Sequence, residues 1–139
     1  MQWSEKLSVD NELIDGQHQR LIEITNQVEK IFRVEEKTLL DYDEMVRILV
    51  KLNLYTLNHF GMEEKLLEKF NYPEEQLKKH KAEHQYFIDF LEDISVDKLN
   101  EKTDEVLLDI YAFLSNWILT HIRETDSKYK VFLKLHEQD

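Results

Sequence analysis

An all-α protein, folded as an up-down-up-down antiparallel four-helix bundle, is what the sequence predicts. Three observations predict it. Apolar residues recur at three- and four-residue spacing in four separate segments. Gly16, Gly61 and Pro73 are the only glycines and proline in 139 residues, too few for the many turns of a β fold. The connectors between the segments are short, which favours antiparallel neighbours.

The first ten residues, with Trp3, read as an extended arm. The first helix runs from about Asn11 to Val34, with Ile14, His18, Leu21, Ile22, Thr25, Val28 and Phe32 on its inner face. The second runs from about Asp41 to Lys69, and its inner face carries Met45, Ile48, Leu49, Leu52, Thr56, His59, Phe60, Glu63 and Leu67. Asn71-Tyr72-Pro73 is the clearest break, and Pro73 suits the first turn of the next helix. The third helix spans about Pro73 to Ile94, with Leu77, His80, His84, Phe87, Ile88 and Leu91 inward. Ser95 to Lys102 is polar and reads as a connector. The fourth helix starts near Thr103 as N-cap and reaches at least Ile122, with Leu107, Tyr111, Leu114, Ile118 and His121 inward. The whole of 1–139 is read as a single domain.

Charge and composition exclude several classes. A formal net charge of −11 repels phosphate backbones and anionic headgroups, so neither nucleic acid nor a membrane surface is expected as a partner. The absence of cysteine excludes disulfides, thiolate zinc sites and cysteine-ligated clusters, and fits a reducing compartment. No basic-then-apolar leader opens the chain and no apolar run reaches membrane-spanning length, so the expectation is a soluble, cytoplasmic protein. The outer helix faces read as charged, so the expectation is a monomer.

Five of the six histidines, and Glu63, fall on stripes drawn from the apolar residues. One histidine on such a stripe is more often a hydrogen-bonded core residue than a ligand. A buried glutamate must be paired, protonated or bound to a cation. The useful question is whether these residues meet. In an antiparallel hairpin, residues equally far from the tip share a height. A tip near 38–39 sets His18 level with His59. A tip near 71–72 sets His59 level with His84, and Glu63 level with His80. A tip near 100–101 sets His80 level with His121. Five imidazoles and one carboxylate therefore converge in one slab near one end of the bundle. Without a metal they would leave many polar atoms seeking partners.

Asp126 is harder to place. It lies five residues after His121, and on a regular helix that leaves the two about 140° apart. If both serve one site, a π-bulge, kink or break must lie between them, because a π-type turn brings them to about 50°. If not, Asp126 is a surface carboxylate beyond the helix end, and spacing alone favours that second reading.

Five histidines and two carboxylates exceed what one tetrahedral zinc needs, and they suit two metals with one position left open for a small ligand. An imidazole-rich, nearly neutral set suits iron. No glutamate lies three residues before any histidine, so the Glu-x-x-His motifs of the usual di-iron carboxylate bundle are missing. HExxH, a phosphate-binding glycine loop and a nucleophile elbow are missing too.

With these motifs the chain resembles the hemerythrin family, in its single-domain bacterial form, over nearly its whole length. IDGQHQRL at 14–21, HFGMEE at 59–64, HKAEHQYF at 80–87 and WILTHIRETD at 117–126 carry the resemblance. It implies two iron ions with an oxo or hydroxo bridge. One iron would be held by His80, His84 and His121, the other by His18 and His59, with Glu63 and Asp126 bridging. It implies reversible O2 binding at the iron held by two histidines, in an oxygen carrier, store or sensor, with a reductase as a partner. A sensor needs an output domain, and none fits in this chain. Ile22 and Ile118, one turn from His18 and His121, are candidates to line the O2 pocket, or are plain core residues. Tyr129 is read either as a support for Asp126 or as core. His136 matches nothing in the motifs and is expected in an exposed tail. The competing readings are a di-iron enzyme acting on peroxide, nitric oxide or O2, a zinc or metal-storage bundle, and a metal-free interaction domain.

Overall fold

A computed structural model describes residues 1–94 and 104–136. The proposed Thr103 cap and the whole 95–102 connector lie outside the described residues, as does the side chain of His136. Helices are the only regular structure among the described residues. A 3-10 turn at Glu5–Leu7 sits in the arm, followed by α1 (Glu12–Phe32), α2 (Leu39–Lys69), α3 (Glu74–Asp93) and α4 (Asp104–Thr120). After α4 the rod does not stop. A π-helical turn, His121–Asp126, leads straight into α5 (Ser127–His136). The fourth helix thus extends well past Ile122.

Local chemistry sets the boundaries. Asn11 caps α1, its side chain accepting from the Ile14 N–H at 3.1 Å. One turn in, the Asp15 carboxylate accepts from the Ser8 hydroxyl and the Val9 N–H and ties the arm to α1. Thr38 caps α2, and its backbone N–H donates to Asp41 Oδ2 at 2.8 Å, so α2 begins two residues earlier than the apolar pattern suggests. The end of α2 is a Schellman motif. Tyr72 N–H reaches the Leu67 carbonyl and Asn71 N–H the Glu68 carbonyl, with Asn71 left-handed at φ 57°. Pro73 follows at the cap rather than inside the first turn of α3. Its ψ of 130° is extended, and its carbonyl accepts from Leu77.

Pair contacts fix the directions. Between α1 and α2, Gln17 meets Met62 while Ile31 and Ile48 line one cleft at the other end. Between α2 and α3, Glu68 pairs with Lys81 and Phe60 meets Phe87. Between α3 and α4, Phe87 meets Trp117 and Phe90 stacks on Phe113. Between α1 and α4, Phe32 stacks on Tyr111. In the first three pairs the sequence order is reversed, so the bundle runs up-down-up-down as expected.

The apolar interior is in two parts. The larger holds Leu21, Ile22, Val28, Met45, Leu52, Phe60, Phe87, Leu107, Leu114, Ile118 and Ile122. The smaller is built of Val9, Ile14, Leu67, Tyr72, Tyr129 and Leu133, from the arm, the first turn of α1, the end of α2, the α2–α3 turn and α5. Phe32, Leu77, Ile88 and Tyr111, expected inside, are half-buried at the margins. Trp3 packs half-buried against the larger core.

Candidate metal centre

Between the two cores lies a slab of polar side chains. His18, His59, Glu63, His80, His84, His121 and Asp126 are all buried, none more than 4% exposed. The hairpin-height reasoning brings the first six together, and the structure does so. Asp126 joins them, which overturns the surface reading that spacing alone favours. The reason is the π-turn. Ser127 N–H bonds the Ile122 carbonyl, five residues back. Widening the turn by one residue lets five positions make a little more than one revolution, so His121 and Asp126 face the same way.

The slab divides into two groups. On one side His80, His84 and His121 crowd together, with Nε2 of His84 and His121 3.2 Å apart. Glu63 Oε1 contacts His80 Nε2 and lies 3.2 Å from His84 Nε2. Asp126 Oδ1 lies 3.0 Å from His121 Nε2 and 3.2 Å from His80 Nε2. On the other side, Glu63 Oε2 is 3.6 Å from His18 Nε2 and 3.5 Å from His59 Nε2, and Asp126 Oδ2 is 3.0 Å from His18 Nε2. Each carboxylate gives one oxygen to each group.

This donor set fits cations. Buried polar groups normally find aligned partners. The hydroxyls of Thr25 and Thr56 do, at carbonyls four residues back, both at 2.9 Å. Both nitrogens of His18 and both oxygens of Asp126 have no aligned hydrogen bond, although they are fully enclosed. Two sets of three or more donors lie within cation-binding distance of one another: Glu63 with His80, His84 and His121, and Glu63 with His18 and His59.

With no cation, protons hold the charge. Burial pulls His18 down, but Asp126 and Glu63 outweigh it and leave it at about 9. The same opposition leaves His80 at about 10. His121 also settles at about 9, with Glu83 adding to the pull upward. His59 goes the other way, to about 4, because burial dominates there. Burial pushes Glu63 up, but the imidazoles of His18, His80 and His84 hold it well below the usual carboxylate range. Burial and the Glu63 charge push Asp126 up, and His121 and His18 overcome them.

Sequence reasoning missed the groups behind the imidazoles. His59 Nδ1 meets Gln17 Oε1 at 2.5 Å. His84 Nδ1 meets Glu64 at 3.1 Å, and His121 Nδ1 meets Glu83 at 3.0 Å. Thr125 donates to the same Glu83 oxygen at 2.7 Å. Gln17, Glu64 and Glu83 each stand next to His18, Glu63 or His84 in sequence, and each serves an imidazole on a neighbouring helix. The same height rule, applied to the polar residues flanking each histidine, would have found them. These contacts fix ring orientation and tautomer. Aromatic faces do the rest. Phe60 stacks on His84 at 3.9 Å, Trp117 on His121 at 4.4 Å and Tyr129 on His80 at 5.6 Å.

Tyr129 donates its hydroxyl to Glu63 Oε2 at 2.8 Å, so it supports Glu63 and not Asp126. Ile22 and Ile118 are buried in the larger core beside the slab. A surface cleft of about 190 Å³, lined by Tyr72, Gln76, Lys79, His80, Glu83, Thr125 and Lys128, reaches the slab from the side at His80.

A helical bundle with enclosed imidazoles and shared carboxylates is a cation-binding protein by its construction. The family model described as "Hemerythrin HHE cation binding domain" matches residues 9–133, and the chain belongs to the hemerythrin family. It is 30% identical over 127 residues to a protein of Clostridium acetobutylicum named bacteriohemerythrin, covering 91% of this chain and 96% of that one. A bacteriohemerythrin of Stenotrophomonas maltophilia is 29% identical over 135 residues, 96% of this chain and 82% of its own. One of Pseudomonas aeruginosa is 28% identical over 127 residues, 91% and 77% respectively. Among the described residues no helix is long and apolar enough to cross a membrane.

Proposed function

We propose that this chain binds O2 reversibly at a non-haem di-iron centre. His80, His84 and His121 would hold one iron and His18 and His59 the other, with Glu63 and Asp126 placed to serve both. The observation that carries this reading is the division of the two carboxylates, each with one oxygen toward three imidazoles and the other toward two. The irons would supply the two electrons that O2 draws on and the open position at the iron with two histidines.

The chain's own part is to hold and exclude. Gln17, Glu64 and Glu83 keep the imidazoles oriented with Nε2 inward. Ile22 and Ile118 wall the slab with apolar surface and keep bulk water off it. The Tyr129 hydroxyl is the nearest acid on the side of the smaller core. Burial, then Glu63 and Asp126, raise it well above the ordinary tyrosine range, and its proton is committed to Glu63. A site without a free proton donor favours release of O2 over its reduction, because protonation drives reduction forward. This reading therefore sets a binding protein ahead of an enzyme.

The test is an anaerobically reduced sample followed by absorption as air is admitted and removed, with iron counted on the same sample. Two irons per chain, and a visible band that appears with O2 and leaves with it, are expected. Irreversible oxidation with turnover of peroxide or nitric oxide would favour an enzyme. No iron would sink the di-iron reading.

A further inference from the structure

The outer face of α2 is not the charged surface expected of it. Val50 is 56% exposed, Leu54 65% and Leu57 44%. With Gly61 they form one stripe at spacings of four, three and four, the repeat of a coiled-coil seam, along about 16 Å of helix. Gly61 is otherwise unexplained. It costs an exposed helix about 1 kcal/mol relative to alanine, and a methyl group there would meet no atom within 4 Å.

We propose that this stripe is a two-fold contact between two copies of the chain, with α2 packed antiparallel on α2. The axis passes between residues 55 and 56. In that register Leu54 meets the partner's Leu57, and Val50 meets the partner's Gly61. The partner's Val50 fills the space outside Gly61 in return, as a self-complementary interface requires. Gly61 is what lets the backbones approach. Charges agree one step further out. Arg47, its side chain 65% exposed and paired with its own Glu44 at 2.8 Å, falls opposite the partner's Glu64, which is 24% exposed and also meets His84, twice by symmetry. At the far ends Asp43 meets the partner's Glu68, whose charge Lys81 already balances. A second copy is the occupant because one rotation sets Val50 into the space outside Gly61, Leu54 against Leu57 and Arg47 beside Glu64, each twice. One helical seam is a small interface, so the dimer is weak and exchanging. Each chain carries a net −11, so salt screens the repulsion and strengthens pairing.

Sedimentation of the full-length protein across concentration is the experiment. A dimer forming between about 10 and 500 µM is expected, and a monomer up to about 1 mM overturns the proposal. Leu54→Glu should abolish the dimer with helicity and metal content unchanged. A dimer that survives it lies on another face, which also overturns the proposal. Gly61→Ala separates the seam from general stability. It should raise the melting temperature of the dilute monomer and weaken the dimer several-fold, and an unchanged dissociation constant refutes the register. Because the chain has no cysteine, a mixture of Leu54→Cys and Leu57→Cys chains should oxidise mainly to the mixed pair. Preferential like-with-like crosslinks would refute the antiparallel arrangement.

Discussion

Replacing Tyr129 by phenylalanine isolates one buried contact. The ring is fully enclosed, lies against His80 and Tyr72, and keeps those contacts in the variant. What is lost is the hydroxyl's bond to Glu63 Oε2 at 2.8 Å. The acceptor is an ionised carboxylate, so the bond contributes roughly 1.5–3 kcal/mol. The upper half of that range is expected, because the same oxygen's other neighbours, His18 and His59, stand at 3.6 and 3.5 Å. Unfolding entropy of about 2.1 cal/mol/K per residue, over 139 residues, makes 1 kcal/mol worth about 3–4 °C. The metal-free variant should therefore melt about 8–10 °C lower by circular dichroism near pH 7. A loss below about 2 °C would refute the reasoning, since the hydroxyl would then not be holding Glu63.

Four further outcomes are expected. Metal uptake near pH 7.5 should release about three protons per chain, because His18, His80 and His121 sit at about 9 to 10 without a cation and must be neutral to ligate; a pH-stat titration with no proton release contradicts this. The same three imidazoles stabilise the metal-free fold fully below their unfolded value near 6.5 and lose that contribution as pH rises through 9 to 10. Glu63 and Asp126, held low, contribute above the ordinary carboxylate range and lose it in acid, and His59, held at about 4, adds to the acid side below 6.5. Urea midpoints of the metal-free protein should fall in both directions from about pH 6.5, and a midpoint that climbs steadily to pH 10 excludes the assignment. Glu83→Gln keeps the shape but removes the charge behind His121 Nδ1 and should weaken metal binding about 10- to 100-fold, read by competition with a chelator. Deleting Glu124, exposed on the π-turn, should leave a regular helix with His121 and Asp126 four apart and metal binding retained; a chain that folds but binds no metal would show that the wide turn does more than absorb one residue.

Much of this centre was legible in the sequence because it depends on two regularities, helical period and hairpin height. His18, His59, Glu63, His80, His84 and His121 each sit on an apolar stripe, and equal distance from the turns brings them level. Asp126 resisted because its placement depends on a local departure from the period. The motif resemblance and the requirement for a bend pointed to it, and backbone spacing pointed away. The last helix, read as reaching at least Ile122, runs on through the π-turn to His136, because that turn widens the helix without ending it. Thr38 was passed over because a cap is set by side-chain hydrogen bonding and not by the apolar stripe. Only Ile14 and Leu67 of the smaller core lay on the apolar stripes; Val9, Tyr72, Tyr129 and Leu133 come from the arm, a turn and α5, where no stripe was drawn.

The smaller core changes what the slab is for mechanically. Among the described residues, the arm, the α2–α3 turn and α5 meet on the far side of the polar layer, and their apolar contacts there are few. Two cations, one at His18 and one at His80, joined by Glu63 and Asp126, would fasten one residue from each of α1, α2 and α3 to the base of α5. The span from 18 to 126 is most of the chain, and closing so long a loop removes much of the freedom of the unfolded ensemble. In a protein without a single cysteine, a loaded centre would act as a four-way cross-link that forms when metal arrives and opens when it leaves, and the carboxyl-terminal helix is the part whose attachment would depend on it most.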